Sequence, residues 1–284
     1  MQYRTDLALE SLARTAVRSG ITERRRGEHF RITEIHVADD ESGRSIGKTK
    51  GTYITLEGQS LSRFSDDFEN MATELAAELR PLLPAEGCVL VAGLGNQDIT
   101  PDALGPRTMA SVLATRHLRK ELNGEDEAFL RDLRPVSVIA GGVLGQTGME
   151  SAELLKAVAD AIAPTAVIAV DALACSSLDR LGTTVQIADT GIAPGSGVAN
   201  HRLALTQEVF GIPVIGMGVP TVIGMHTIAE DLTGHPLKVP RPDMMVTPRD
   251  VDRLISQAAH LLACGINLAL HPQMEYQDVC GLIA

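Results

Sequence analysis

The sequence predicts an α/β fold: a mainly parallel, twisted sheet with helices on both faces, plus an N-terminal β-hairpin. Three observations carry this expectation. Hydrophobic residues make up 44% of the 284 residues while aromatics reach only 3% and Trp is absent, so the core must be built from Ala, Val, Ile and Leu, as in helix-covered parallel strands. Short apolar runs recur that stop at Gly or Asp, namely "CVLVAGLGN", "VSVIAGG", "AVIAVDA" and "IPVIGMGVP", which is how strands buried on both faces read. Helical stretches separate some of these runs, and such alternation implies one sheet with crossover helices.

Taken in chain order, residues 1–28 are polar and charged, with a short helix inside residues 5–18 and no strong apolar stripe. They read as an arm. Residues 30–56 read as strand, turn and strand, because "FRITEIHV" alternates, "ADDESGRSIG" supplies turn residues and "GTYITL" is β-branched and aromatic. This hairpin is expected outside the main sheet. Residues 66–83 place Phe68, Met71, Leu75, Leu79 and Leu82 near a 3.6 period and end at Pro84, a helix. Residues 136–142, 166–172 and 212–220 are the further buried strands, and residues 148–162 a helix. "TTVQIAD" alternates, as an edge or antiparallel strand would. A last helix is expected to about residue 270, with Thr247 as N-cap, Pro248 in the first turn and one apolar side packed on the sheet. The whole, residues 1–284, reads as a single domain with the arm and hairpin as additions.

Composition excludes several function classes. A net charge of −11 lacks the basic face that nucleic acid requires, and the cluster Arg24-Arg25-Arg26 reads as a solvated patch. No apolar run reaches the ~20 residues needed to cross a bilayer, so no membrane partner is expected. Cys88, Cys175, Cys264 and Cys280 lie far apart, with no C-x-x-C pair and no signal peptide ahead of them. They read as buried thiols in a reducing cytoplasm. The histidines show no H-E-x-x-H spacing, so neither a metal nor a cofactor is expected. Ser196 in "GSG" lies outside a G-x-S-x-G elbow.

The chemistry is sought beyond the carboxyl ends of the strands, where loops converge in an open parallel sheet. The stretch "GLGNQDITPDALGP" there carries Asp98 and Asp102, and Asp171 ends "VIAV". Each carboxylate has two readings. Asp171 either caps the following turn or stands as a functional group at the rim of an apolar layer, and Asp102 either sits in the first turn of a helix or takes part in catalysis. They come off the ends of strands that could lie adjacent, and if they approach within a few Å they would share one proton, with one acting as base on a water and the other donating to a carbonyl. Gly93, Gly95 and Asn96 are candidates for contact with a bound peptide, and so are Gly195 and Ser196 in the second Gly-rich loop, "TGIAPGSGVANHR". "GLG" lacks the third glycine of G-x-G-x-x-G and the Gly-Lys-Ser/Thr of a P-loop.

Five strings carry a resemblance: "RTDLALE", "VAGLGNQDITPDALGP", "GGVLGQTGMESAELL", "VDALACSSLDRLGTTVQIADTGIAPGSGVANHR" and "MMVTPRDVDRLISQAAHLLACGINLALHP". In this order, and over most of the chain, the sequence resembles the germination proteases of endospore-forming bacteria, with a weaker likeness around "GLGN" to hydrogenase-maturation endopeptidases. The resemblance implies an endopeptidase of the spore core that degrades small acid-soluble spore proteins, using two aspartates that fall on Asp102 and Asp171. It also implies a tetrameric zymogen that trims its own N-terminus within or just before the "RTDLA" string, although only Met1, Gln2 and Tyr3 precede Arg4 here. Two alternatives stand beside it: a metal-dependent maturation endopeptidase, with Asp98, Asp102 or a histidine as ligand, and a non-catalytic peptide-binding module on the same sheet.

Overall fold

The computed structural model describes residues 5–15, 19–118, 132–194, 203–235 and 244–283. Its central feature is a nine-stranded mixed sheet. The strands are β1 (Ile21–Arg26), β2 (Arg31–Val37), β3 (Gly51–Glu57), β4 (Val89–Gly93), β5 (Val136–Ala140), β6 (Ala166–Cys175), β7 (Thr184–Ala188), β8 (Val214–Gly224) and β9 (Met245–Val246). They run in the order β1-β2-β3-β7-β8-β6-β4-β5, with β9 paired to β8. The apolar runs supply the parallel part, β5-β4-β6-β8, while β7, β3, β2 and β1 extend it antiparallel.

Several expectations are corrected. The hairpin is continuous with the main sheet, because β3 pairs with β7 over residues Tyr53 to Glu57. Its "turn" is a helix, α2 (Asp40–Ile46), started by Asp39, which accepts from the Ser42 N–H at 2.8 Å, and ended by Gly47 at φ +64°. β7 is an interior strand, buried along its length; its alternation reflects polar residues held inside, such as Gln186, whose amide donates to the Ile54 and Ile187 carbonyls. The arm is packed too: α1 (Ala8–Ala13) buries Ala8 and Leu12, Leu7 before it is fully enclosed, and β1 forms the outer strand.

The helices cover the sheet. On one face α3 (Phe68–Leu79) and α9 (Val251–Leu270) pack on each other and on the sheet, with α4 (Leu104–Met109) against α9 and α10 (Tyr276–Ile283) closing the end. The other face carries α6 (Ser151–Ile162) and α7 (Gln207–Phe210), preceded by the one-turn α5 (Leu144–Thr147), and α8 (Met225–Thr233) follows β8. α9 begins at Val251, and Thr247 does not cap it; its hydroxyl donates instead to the Thr221 carbonyl at 2.8 Å. α9 is long and apolar enough to span a bilayer, but 78% of its apolar window is buried within this core, where it serves as a packing helix.

Candidate active site

The site arises from a step in the sheet. β4 runs parallel between β5 and β6 and stops at Gly93, opposite Val170, whereas β6 and β8 continue pairing as far as Cys175 and Ile223. The chain leaves β4 toward β5 on one side and returns as β6 on the other. That is a topological switch point, where a crevice opens beyond the carboxyl ends of the strands. Asp171 is the first residue of β6 past the end of β4. The loop from β4 passes through a 3₁₀ turn, Thr100–Asp102, into α4, so Asp102 arrives over the same crevice. Both aspartates line one cavity of about 310 Å³, together with Asp6, Gly95, Leu173 and Thr221.

Backbone contacts hold each carboxylate. Asp171 is 5% exposed, and its Oδ1 accepts from the Ala172 N–H at 2.9 Å. Asp102 Oδ2 accepts from the Asn96 N–H at 2.7 Å. Gly95, at φ +104°, makes the second approach possible: a Cβ there would lie 2.0 Å from the Asp102 carbonyl oxygen. The start of α4 is pressed just as closely onto the strands at Gly105, whose Cβ would fall 2.5 Å from the Val170 carbonyl oxygen and 2.3 Å from that of Leu94.

The other anticipated residues are distributed differently. Asn96 uses its N–H on Asp102 and its side-chain oxygen on the Asp98 N–H and on Gln146 Nε2, so it ties the loop together. Asp98 is exposed and accepts from Gln146 Nε2 at 3.2 Å. Gly93 is buried within β4, facing the Gly105 backbone and the Met109 side chain; its role there is close packing. Gly195 and Ser196 lie outside the described residues. Cys175 is buried, and burial pushes its thiol up to about 12, which suits a structural thiol.

Two participants were not found by sequence reasoning. Thr221 is fully buried and lines the cavity. The register between β6 and β8 passes from Leu173↔Pro220 to Ala174↔Val222, which makes Thr221 the extra residue of a β-bulge. Its hydroxyl donates to the Pro101 carbonyl at 2.7 Å and so fixes the turn that carries Asp102. Pro220 had marked the end of a strand, but at a bulge proline is tolerated and the strand runs on.

The second is Asp6, from the N-terminal segment. Beyond the end of β4, the β6 edge is open and the chain's own N-terminus fills it. The Asp6 N–H donates to the Ala174 carbonyl at 3.0 Å, and the Ala174 N–H donates to Asp6 Oδ2 at 2.8 Å. Lys48 Nζ donates to the Asp6 carbonyl at 2.8 Å; burial pulls this ammonium below the usual lysine range, opposed by the charges of Asp6 and Glu10. Glu10 is 2% exposed and accepts from the Ser176 N–H at 2.7 Å, the Ser176 hydroxyl at 2.8 Å and the Ser177 N–H at 3.0 Å, with Arg180 3.6 Å away. One main-chain bond and one carboxylate bond from Asp6 thus close the open edge of β6 at Ala174, where an extended peptide could also pair.

The comparisons with known proteins bear on this site. The sequence model of a family described as "Germination protease" matches residues 10–239. The germination protease of Caldanaerobacter subterraneus subsp. tengcongensis is 38% identical, covering 99% of this chain and 98% of its own. That of Clostridium tetani is 36% identical, covering 98% of each. Among solved structures, the [NiFe] hydrogenase maturation protease HycI from Thermococcus kodakarensis is similar over 66% of this chain and 96% of its own, at 17% identity and a TM-score of 0.35.

Proposed function

This chain belongs to the germination protease family, and from that premise we propose that it hydrolyses small acid-soluble spore proteins through Asp102 and Asp171. The observation that carries the reading is that both carboxyl groups line one cavity, from the ends of adjacent parallel strands. In this reading one of the two carboxyl groups is ionised and the other protonated, the division of labour that two carboxylates in one cleft allow. The ionised member takes a proton from water as the water oxygen attacks the peptide carbonyl carbon, and the protonated member donates to the carbonyl oxygen. Collapse of the tetrahedral intermediate breaks the C–N bond and sends a proton to the departing amine.

Substrate would enter as a strand along the free edge of β6, using the Ala174 N–H and carbonyl that Asp6 occupies here. The chain's own N-terminal segment then restrains activity until it is trimmed, as a zymogen requires. The setting is the spore cytoplasm, with the enzyme assembled as a homotetramer.

The test is incubation of the purified chain with a small acid-soluble spore protein, beside Asp102→Asn and Asp171→Asn. Wild type is expected to cleave and each variant to lose more than ~100-fold in rate. Retained cleavage by either variant would remove that residue from the mechanism.

A further inference from the structure

Where α9 meets α10, three ligand groups converge. His260 and Cys264 are one turn apart on α9, and Cys280 faces them from α10. One ligand atom from each lies within 4.8 Å of the others, with Cys264 Sγ 3.8 Å from His260 Nε2. A tetrahedral zinc ion, at about 2.3 Å from sulfur and about 2.0–2.1 Å from nitrogen, sets S···N edges near 3.6 Å and S···S edges near 3.8 Å. The groups therefore need only small side-chain rotations to close on one ion.

The surroundings favour this use. Phe68 of α3 stacks on the imidazole at 5.2 Å and 26°, which fixes its plane. Cys264 is buried while His260 and Cys280 are half-buried, so the cluster has an apolar floor and an open side for entry and for a fourth, solvent ligand. Tyr276 lies one turn before Cys280 on α10, which places a polar side chain near the sulfur. The cluster joins an H-x-x-x-C pair to a cysteine on a separate helix, so no tight metal motif marks it in the sequence.

We propose that His260, Cys264 and Cys280 form a structural site for a thiophilic divalent cation, with Zn²⁺ as the fitting ion and water as the fourth ligand. Binding exchanges the two thiol protons for the metal, and no electron is transferred. Burial and the neighbouring Cys280 push the Cys264 thiol up to about 12. The site would pin α10 to α9. α9 in turn braces the segment after α4, because Asn267 accepts from the Leu113 N–H at 3.0 Å and donates to the Ser111 carbonyl at 2.9 Å. The proposal stands apart from the reading of the cleft.

The test uses the full chain, stripped with chelator, reduced with a phosphine and titrated with Co²⁺ and then Zn²⁺. The expected result is one equivalent of Co²⁺ per chain, with a thiolate-to-cobalt charge-transfer band and tetrahedral d–d bands that Zn²⁺ bleaches, and a higher thermal midpoint with Zn²⁺. Cys280→Ser, and His260→Phe, which keeps the stack on Phe68, should each weaken binding at least about 100-fold while the apo chain stays folded by circular dichroism. Absence of the charge-transfer band in the reduced wild type overturns the proposal, as does undiminished binding in Cys280→Ser. A Cys264–Cys280 disulfide in the chain purified without reductant also overturns it, because joined sulfurs cannot both ligate.

Discussion

Replacing Gly95 with alanine tests whether the loop geometry at Asp102 matters to the chemistry. The added Cβ would lie 2.0 Å from the Asp102 carbonyl oxygen and 3.1 Å from its Oδ1, whereas real Cβ contacts stay beyond 3.0 Å. The first contact is with backbone, so no rotamer relieves it, and the Asp102 turn must retreat by about 1 Å (3.0 minus 2.0). A 1 Å misplacement of a reacting group costs about 10²-fold in rate. Positive φ adds a separate cost to stability, on the order of 1–2 kcal/mol. Gly211→Ala separates the two effects, since Gly211 also has positive φ, +74°, but an added Cβ there meets nothing within 4 Å. Gly95→Ala should lose more stability in urea unfolding than Gly211→Ala, which carries the positive-φ cost without the clash, and only Gly95→Ala should lose kcat/KM on a spore-protein substrate, by about 100-fold. A folded Gly95→Ala chain with activity within about threefold of wild type would refute the reasoning.

Two further outcomes follow from buried polar groups. Thr221→Val keeps the shape but removes the donor to the Pro101 carbonyl. It should cost about 1 kcal/mol of stability and about tenfold in kcat, while Thr221→Ser retains both, and a valine variant with unchanged kcat would free the bulge from any positioning role. His271 is fully buried, neither ring nitrogen has a hydrogen-bond partner among the described residues, and burial, helped by Arg134, brings it down to about 4. The folded chain thus favours the neutral ring, and its stability holds above about 6.5 and falls as pH drops toward 4, by about 3 kcal/mol in all. Urea unfolding of wild type and His271→Leu across that range checks this; equal pH slopes in the two would show that His271 does not titrate on unfolding.

What could be read in the sequence was what burial writes into composition. β4, β6 and β8 lie inside the sheet and are buried almost throughout, so their runs are apolar, and the carboxylates that interrupt or follow them stand out; β5, at the edge, fully buries only Val136 but keeps a largely apolar run. α2 was missed because "DESGRSI" has little helix propensity; it is held by the Asp39 cap and the left-handed Gly47. β1, "ITERRR", is largely exposed and joins the sheet mainly through main-chain pairing, with Arg26 ion-paired to Glu34 and Glu78, which leaves little apolar mark on the side-chain pattern. β7 is antiparallel as its alternation suggested, but it lies inside the sheet rather than at an edge, because Thr184 and Gln186 alternate with Val185 and Ile187 and all four are buried. The N-terminal segment is enclosed through Leu7, Ala8 and Leu12, a stripe too short to register as a period.

The length of β6 links these points to function. Had β4 run as far as β6, the Ala174 N–H and carbonyl would belong to the sheet, and there would be neither a crevice beside Asp171 nor a free edge. Because β4 stops at Gly93, the same two groups can be used by the chain's own N-terminus or by another extended peptide, but not by both. The buried Glu10 and Lys48 strengthen the internal claim on that edge. Displacing the segment would leave a carboxylate and an ammonium in search of new partners. On the zymogen reading proposed above, severing the chain between Asp6 and Glu10 would detach the edge-filling residue from the buried Glu10 anchor and lower the cost of its release.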